Sequence, residues 1–115
     1  MASTRADIGH DHDSCLDETC PVARAVRVLD GKWTLLVVRD LLGGTRRFSE
    51  LRTSLAGISP NTLTDRLRSL EEHGLVDRTM YAEIPPRVEY SITPAGRALD
   101  PVIRALAEWG SALPQ

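Results

Sequence analysis

The chain has 115 residues, 42% hydrophobic and 26% charged, a length and composition that fit one globular domain and exclude a second. Only five residues are aromatic (Trp33, Phe48, Tyr81, Tyr90, Trp109), which leaves the core to Leu, Val, Ala and Ile. A formal net charge of −2 taken whole argues against nucleic acid, yet residues 1–19 carry one base and five acids, net −4, residues 20–115 carry net +2, and residues 45–69 carry net +3.

Residues 1–19 read as a flexible acidic arm, with too little apolar surface to offset the entropy of ordering it, and residues 20–115 as the domain. A first helix begins at Pro21, a residue preorganised for the first helical position, and runs through Val22, Ala25, Val26 and Leu29 towards Gly31. Trp33, Leu36, Val37, Leu41 and Leu42 form a second helix, apolar almost all round and therefore buried, ended by Gly43-Gly44. Phe48, Leu51 and Leu55 share one face of a two-turn third helix stopped by Gly57. Ser59 caps a fourth helix, Pro60 opens it, and Leu63, Leu67 and Leu70 mark one face up to Gly74.

The period then shortens. Residues 75–81 and 87–92 alternate apolar with polar residues around Ile84-Pro85-Pro86, which predicts two strands joined by a stiff turn, with Arg78 placed to pair with Glu89. Thr93-Pro94 caps a last helix carrying Val102, Ile103, Leu106 and Trp109, and Pro101 within that pattern predicts a break near Asp100.

In this order the elements describe a mainly α fold with a small two-stranded wing (α+β), a winged helix-turn-helix. A helix that enters the major groove needs an apolar stripe against its own domain and an opposite face of donors and acceptors reaching base edges. With Leu63 at the origin and about 100° per residue, Leu67 and Leu70 lie within about 40° of it, while Asn61, Asp65, Arg68 and Glu72 lie within about 40° of the opposite side. Thr62, Thr64, Arg66 and Ser69 flank that face. Backbone N–H groups behind Ser59, together with Arg46, Arg47 and Ser49, suit phosphate oxygens, and Arg87 beside the Pro-Pro tip suits phosphate or the minor groove. The DNA-facing set is therefore Arg46, Arg47, Ser49, Ser59, Asn61, Thr62, Thr64, Asp65, Arg66, Arg68 and Arg87.

The strings Cys20-Pro21-Val22, Gly31-Lys32-Trp33, Arg47-Phe48-Ser49-Glu50-Leu51, Leu70-Glu71-Glu72-His73-Gly74-Leu75-Val76, Pro85-Pro86-Arg87-Val88-Glu89-Tyr90 and Thr93-Pro94-Ala95-Gly96 resemble the HxlR family of bacterial transcription regulators, relatives of MarR. The resemblance covers about residues 20–110. It implies a homodimer that binds a palindromic operator in double-stranded DNA, with repression as the default. Independently, Val22, Val26 and Leu29 near one end and Val102, Ile103, Leu106 and Trp109 near the other are more apolar surface than a two-layer monomer covers, which predicts dimerisation through the N- and C-terminal helices.

Cys20 precedes Pro21 at a helix N-cap, where the positive end of the helix favours thiolate, while Asp17 and Glu18 oppose it. The resemblance implies control by an oxidant, quinone or other electrophile at this cysteine; Cys15, five positions earlier in the arm, is placed by its position in the chain to serve as a resolving thiol. His10, Asp11, His12, Asp13 and Cys15 match no closed zinc spacing, so neither metal nor other cofactor is expected. No nucleophile elbow, phosphate-cradling glycine loop or paired histidine motif occurs, which argues against an enzyme. A winged-helix protein–protein module is the rival reading. With no apolar run of the roughly 18–20 residues needed for a membrane span and no apolar stretch in residues 1–14, the expected location is the cytoplasm.

Overall fold

Local chemistry sets most of the element ends. The computed structural model describes residues 20–115. The acidic arm, Cys15 and the His10–Asp13 cluster lie outside the described residues.

Helix α1 spans Pro21–Val28, with Pro21 in its first turn and extended Cys20 at its N-cap. The Arg24 N–H donates to the Cys20 carbonyl at 2.9 Å, and the Leu29 N–H to the Ala25 carbonyl at 2.9 Å, which closes the helix ahead of Gly31. Val22 and Val26 are exposed and Leu29 is half-buried. This segment forms a unit of its own; the remainder, from Gly31 onward, forms a second.

In the second unit α2 (Thr34–Leu42) is the buried helix, with Thr34, Val37, Val38 and Leu41 inside. A two-residue strand β1 (Arg46–Arg47) leads straight into α3 (Phe48–Ser54), where the Glu50 carboxylate accepts the Arg47 N–H at 2.7 Å and satisfies one of the donors that a helix start leaves open. After the turn at Ala56-Gly57, α4 spans Pro60–Glu72, and the Ser59 hydroxyl accepts the Thr62 N–H at 3.1 Å. Its C-terminus closes as a Schellman motif. The Leu75 N–H donates to the Leu70 carbonyl and the Gly74 N–H to the Glu71 carbonyl, each at 2.9 Å, with Gly74 at φ +73° in the left-handed region that only glycine enters without strain.

Strands β2 (Val76–Tyr81) and β3 (Arg87–Ile92) form the expected hairpin. The sheet differs from expectation in having three antiparallel strands in the order β1-β3-β2, because Arg46 and Arg47 pair with Tyr90 and Glu89. The expected Arg78–Glu89 pair does not form. The register sets Arg78 opposite Tyr90, and Glu89 instead pairs with Arg87. The C-terminal helical stretch divides as Pro101 predicts, into a one-turn α5 (Pro94–Arg97) capped by Thr93 and α6 (Asp100–Ser111), with the proline in the first turn of α6.

The core is formed by Val37, Val38 and Leu41 of α2, Leu51 and Leu55 around α3, Ile58, the α4 leucines Leu63, Leu67 and Leu70, and Val76, Tyr90 and Ile92 of the sheet. Trp33, Phe48, Leu75, Val88, Leu99 and Ile103 are among the half-buried residues packed against it. The strands therefore alternate properly at their base, where Val76, Tyr90 and Ile92 face inward, while beyond the core Met80, Tyr81 and Ile84 stand exposed. Helices α3 and α4 thus share one core, and the hairpin follows directly from the end of α4.

Candidate nucleic-acid interface

Burying the Leu63, Leu67 and Leu70 stripe fixes which way the rest of α4 points. All three are essentially fully buried, and the opposite face presents Asn61, Asp65, Arg68 and Glu72 to solvent. Thr64 and Ser69 are half-buried on the flanks. At the start of the helix exposed Ser59 and half-buried Thr62 have their hydroxyls joined, the Ser59 Oγ donating to the Thr62 Oγ1 at 2.9 Å while accepting the Thr62 N–H. That bond couples the cap to the first turn, so the leading end of α4 is a preset arrangement of small polar groups.

Arg66 does not share the outward position of Asp65 and Arg68; it is half-buried on the side of Gly31. Its angular position explains this, since three steps of about 100° from Leu63 leave it about 60° from that residue, beside the leucine stripe rather than opposite to it.

A second polar surface lies at the β1–α3 junction. Thr45, Arg46, Arg47, Ser49, Glu50 and Glu89 line an open hollow of about 440 Å³. Arg47 and Ser49 are exposed there. Arg46 is half-buried, its guanidinium folded over Gly43 and Gly44 and donating from Nη1 to the Thr45 carbonyl at 3.3 Å. Of the two carboxylates, Glu50 accepts the Arg47 N–H and Glu89 sits 3.3 Å from the Arg87 Nε. Both are engaged by their own neighbours, which leaves the hollow suited to an anion approaching Arg47 and Ser49.

On the wing, Arg87 is held more firmly than its sequence position suggests. Its Nη1 lies 3.3 Å from Glu83, its Nε 3.3 Å from Glu89, and its guanidinium carbon 4.1 Å from the centre of the Tyr81 ring. Two carboxylates and an aromatic face thus compete with any phosphate for this cation. The sequence does not mark this clamp, because the register that sets Tyr81 opposite Arg87 is centred on Ile84 rather than on the two prolines. Beyond the tip side, Ile84 is fully exposed.

Cys20 lies in the separate N-terminal unit as the N-cap of α1, half-buried, and its side chain makes no capping hydrogen bond. Among the described residues no group of three or more His, Cys, Asp or Glu side chains is arranged to hold a metal ion, and no helix is long and apolar enough to cross a membrane.

This chain is similar to several regulators of known sequence or structure. A family model described as HxlR-like helix-turn-helix matches residues 28–115. An uncharacterised HTH-type transcriptional regulator of Synechocystis sp. is 48% identical over 101 residues, covering 86% of this chain and 75% of the relative. Among solved structures, a transcriptional regulator of the MarR family from Porphyromonas gingivalis W83 superposes with a TM-score of 0.80 at 41% identity, over 84% of this chain and 94% of that one. The redox regulator HypR in its oxidised form superposes with a TM-score of 0.79 at 38% identity, over 84% of this chain and 99% of that one. Its reduced form gives 0.77 at 39% identity, over 80% and 91%.

Proposed function

This chain belongs to the HxlR-like helix-turn-helix family of transcriptional regulators rather than to an enzyme family, and from that premise we propose that it is a homodimeric repressor that reads a palindromic operator in double-stranded DNA. The observation that carries the reading is α4 itself. Its leucine face is fully committed to the core, and its outer face of Asn61, Asp65 and Arg68, led by the Ser59–Thr62 cap, has the mixed donor and acceptor character that base edges require. Arg47 and Ser49 at the hollow beside α3 supply phosphate contacts that orient the domain.

Dimerisation is supported by α6. None of its residues is buried, and Val102, Leu106, Trp109 and, beyond it, Leu113 are exposed at alternating spacings of four and three, the pattern of a helix-pairing seam. Beside that seam Leu35, Leu36, Ile103, Leu106 and Ala107 line an apolar hollow of about 370 Å³ rimmed by Lys32 and Arg39. Two-fold pairing then matches two half-sites about 34 Å apart. Val22 and Val26, exposed on α1, and half-buried Leu29 are a further apolar set that we assign to dimerisation.

Redox or electrophile control through Cys20 completes the proposal. Support comes from the half-buried thiol at the N-cap of α1 and from likeness to a protein described as a redox regulator in both oxidation states. Cys15, outside the described residues, is the proposed resolving partner.

The test is selection of duplexes from a random pool by the purified protein, with and without a quinone, followed by anisotropy titrations of the enriched duplex across a salt series. The expected result is a palindromic consensus, a log–log salt slope steeper for the wild type than for Arg47→Ala by about 1.8 because each of the two subunits loses one phosphate contact, and operator release by the quinone in the wild type but not in Cys20→Ser. A chain that enriches no sequence and shows no salt dependence is a protein–protein module instead.

A further inference from the structure

We propose that Arg66, although it lies on the helix read as DNA-facing, is a positioning residue that braces α4 against the turn preceding α2 and so sets the angle at which α4 meets the duplex. The proposal rests on the DNA-binding reading above and assigns this one arginine differently from its neighbours.

Four observations converge. First, Asp65 and Arg68 are exposed whereas Arg66 is half-buried, and its Nε is shielded from solvent. Second, the guanidinium packs on the bare Cα of Gly31: a Cβ built on that glycine would stand 2.7 Å from the Arg66 Nη1 and 3.4 Å from its Cζ. Third, Gly31 has φ +94°, a conformation that side-chain-bearing residues rarely adopt, so the turn both requires glycine and leaves a place where a flat cation can lie against the backbone. Fourth, the hydroxyl of Thr34 comes within 3.7 Å of the same point, and Thr34 is the buried polar residue of the described chain, at the first position of α2.

The chemistry of the two basic side chains makes this specific to arginine. A guanidinium is planar and weakly hydrated and can stack on backbone while its edge stays polar; an ammonium is a compact, strongly hydrated point charge that cannot. Leu63, Leu67 and Leu70 hold α4 to the core along one line, which leaves rotation about that line to be set by a contact off the line. Arg66, about 60° to one side of Leu63, is such a contact.

The experiment uses the full chain and two fluorescent duplexes, one enriched from a random pool and one of unrelated sequence, titrated over a salt series well below the unfolding midpoint with the folded fraction verified by circular dichroism. Arg66→Ala and Arg66→Lys are each expected to lose affinity for the enriched duplex by about tenfold, with the salt slope of the wild type retained. Three results overturn the proposal. A slope lowered by about 1.8, one contact per subunit, in Arg66→Ala and kept in Arg66→Lys makes Arg66 a phosphate contact. Unchanged affinity with a lowered unfolding midpoint makes it purely structural. Absence of salt-dependent binding by the wild type overturns the functional reading itself, and the proposal with it.

Discussion

Helices α4 and α6 are of nearly equal length, 13 and 12 residues, and both carry an apolar stripe along one face. They use it in opposite ways. In α4 the stripe disappears into the chain's own core, with Leu63 and Leu70 at 0% exposure, whereas in α6 Leu106 stands 43% and Trp109 65% exposed. Periodicity alone does not distinguish them, because amphipathy states that a helix needs a neighbour and leaves open whether that neighbour comes from the same chain. The difference fits the tasks proposed for the two helices. A recognition helix has to be fixed rigidly to its domain, while a dimerisation helix has to keep its apolar face available until a second copy arrives.

This contrast can be broken most directly in α4. Leu67→Ala removes a fully buried side chain and is expected to lower unfolding stability by about 2–5 kcal/mol in a denaturant titration, and a loss below 1 kcal/mol would mean that α4 is not anchored as described. In α6 the corresponding change acts on assembly. Leu106→Glu is expected to halve the mass seen by light scattering at micromolar concentration, and to remove the rise of the wild-type unfolding midpoint with protein concentration. A wild type that is already monomeric there removes the dimer from the comparison.

Smaller effects sharpen it. Ser59→Ala takes away the hydroxyl that accepts the Thr62 N–H and is expected to cost about 1 kcal/mol of stability, measured in the same titration, with affinity for the enriched duplex reduced because the first turn of α4 frays. The smallest effect belongs to α6, where Arg104 donates to the Asp100 carboxylate at 2.8 Å one turn away, and hydrogen bonding and attraction by Asp100 raise the arginine's pKa. The pair is exposed to water, so Arg104→Ala should leave the unfolding midpoint where it is. A clear fall would place Arg104 in contact with something beyond its own helix.

How far the fold was readable follows the range of the forces involved. Ser59, Pro60, Thr93 and Pro101 declare helix starts because capping is settled within three or four residues, and the structure has helices starting at each of them. Strand β1 was not legible. Two arginines before a helix carry no alternation, and their extended state depends on Tyr90 and Glu89, more than forty residues later. The same holds for the expected Arg78–Glu89 pair, which one residue of register and the nearer Arg87 replace. Among the basic residues of the interface, sequence marks the charge but not its direction: Arg47 faces solvent, Arg46 folds over Gly43 and Gly44, Arg66 lies on Gly31, and Arg87 is held by Tyr81 and two glutamates. Each of these directions is decided by a neighbour brought in by the tertiary fold.

Thr93 joins the two ends of the hairpin. Its hydroxyl donates to the Gly74 carbonyl at 2.7 Å across nineteen positions of chain and accepts the Gly96 N–H at 3.0 Å, while its own N–H donates to the Leu75 carbonyl. With the root of the wing tied in this way, changes of length at the tip are isolated from the elements that lie outside the ties. Insertions and deletions around Ala82–Pro86 would then change how far the wing extends while leaving the rest of the domain intact. Wing reach is thus a quantity that evolution, or an engineer, can vary separately from the fold.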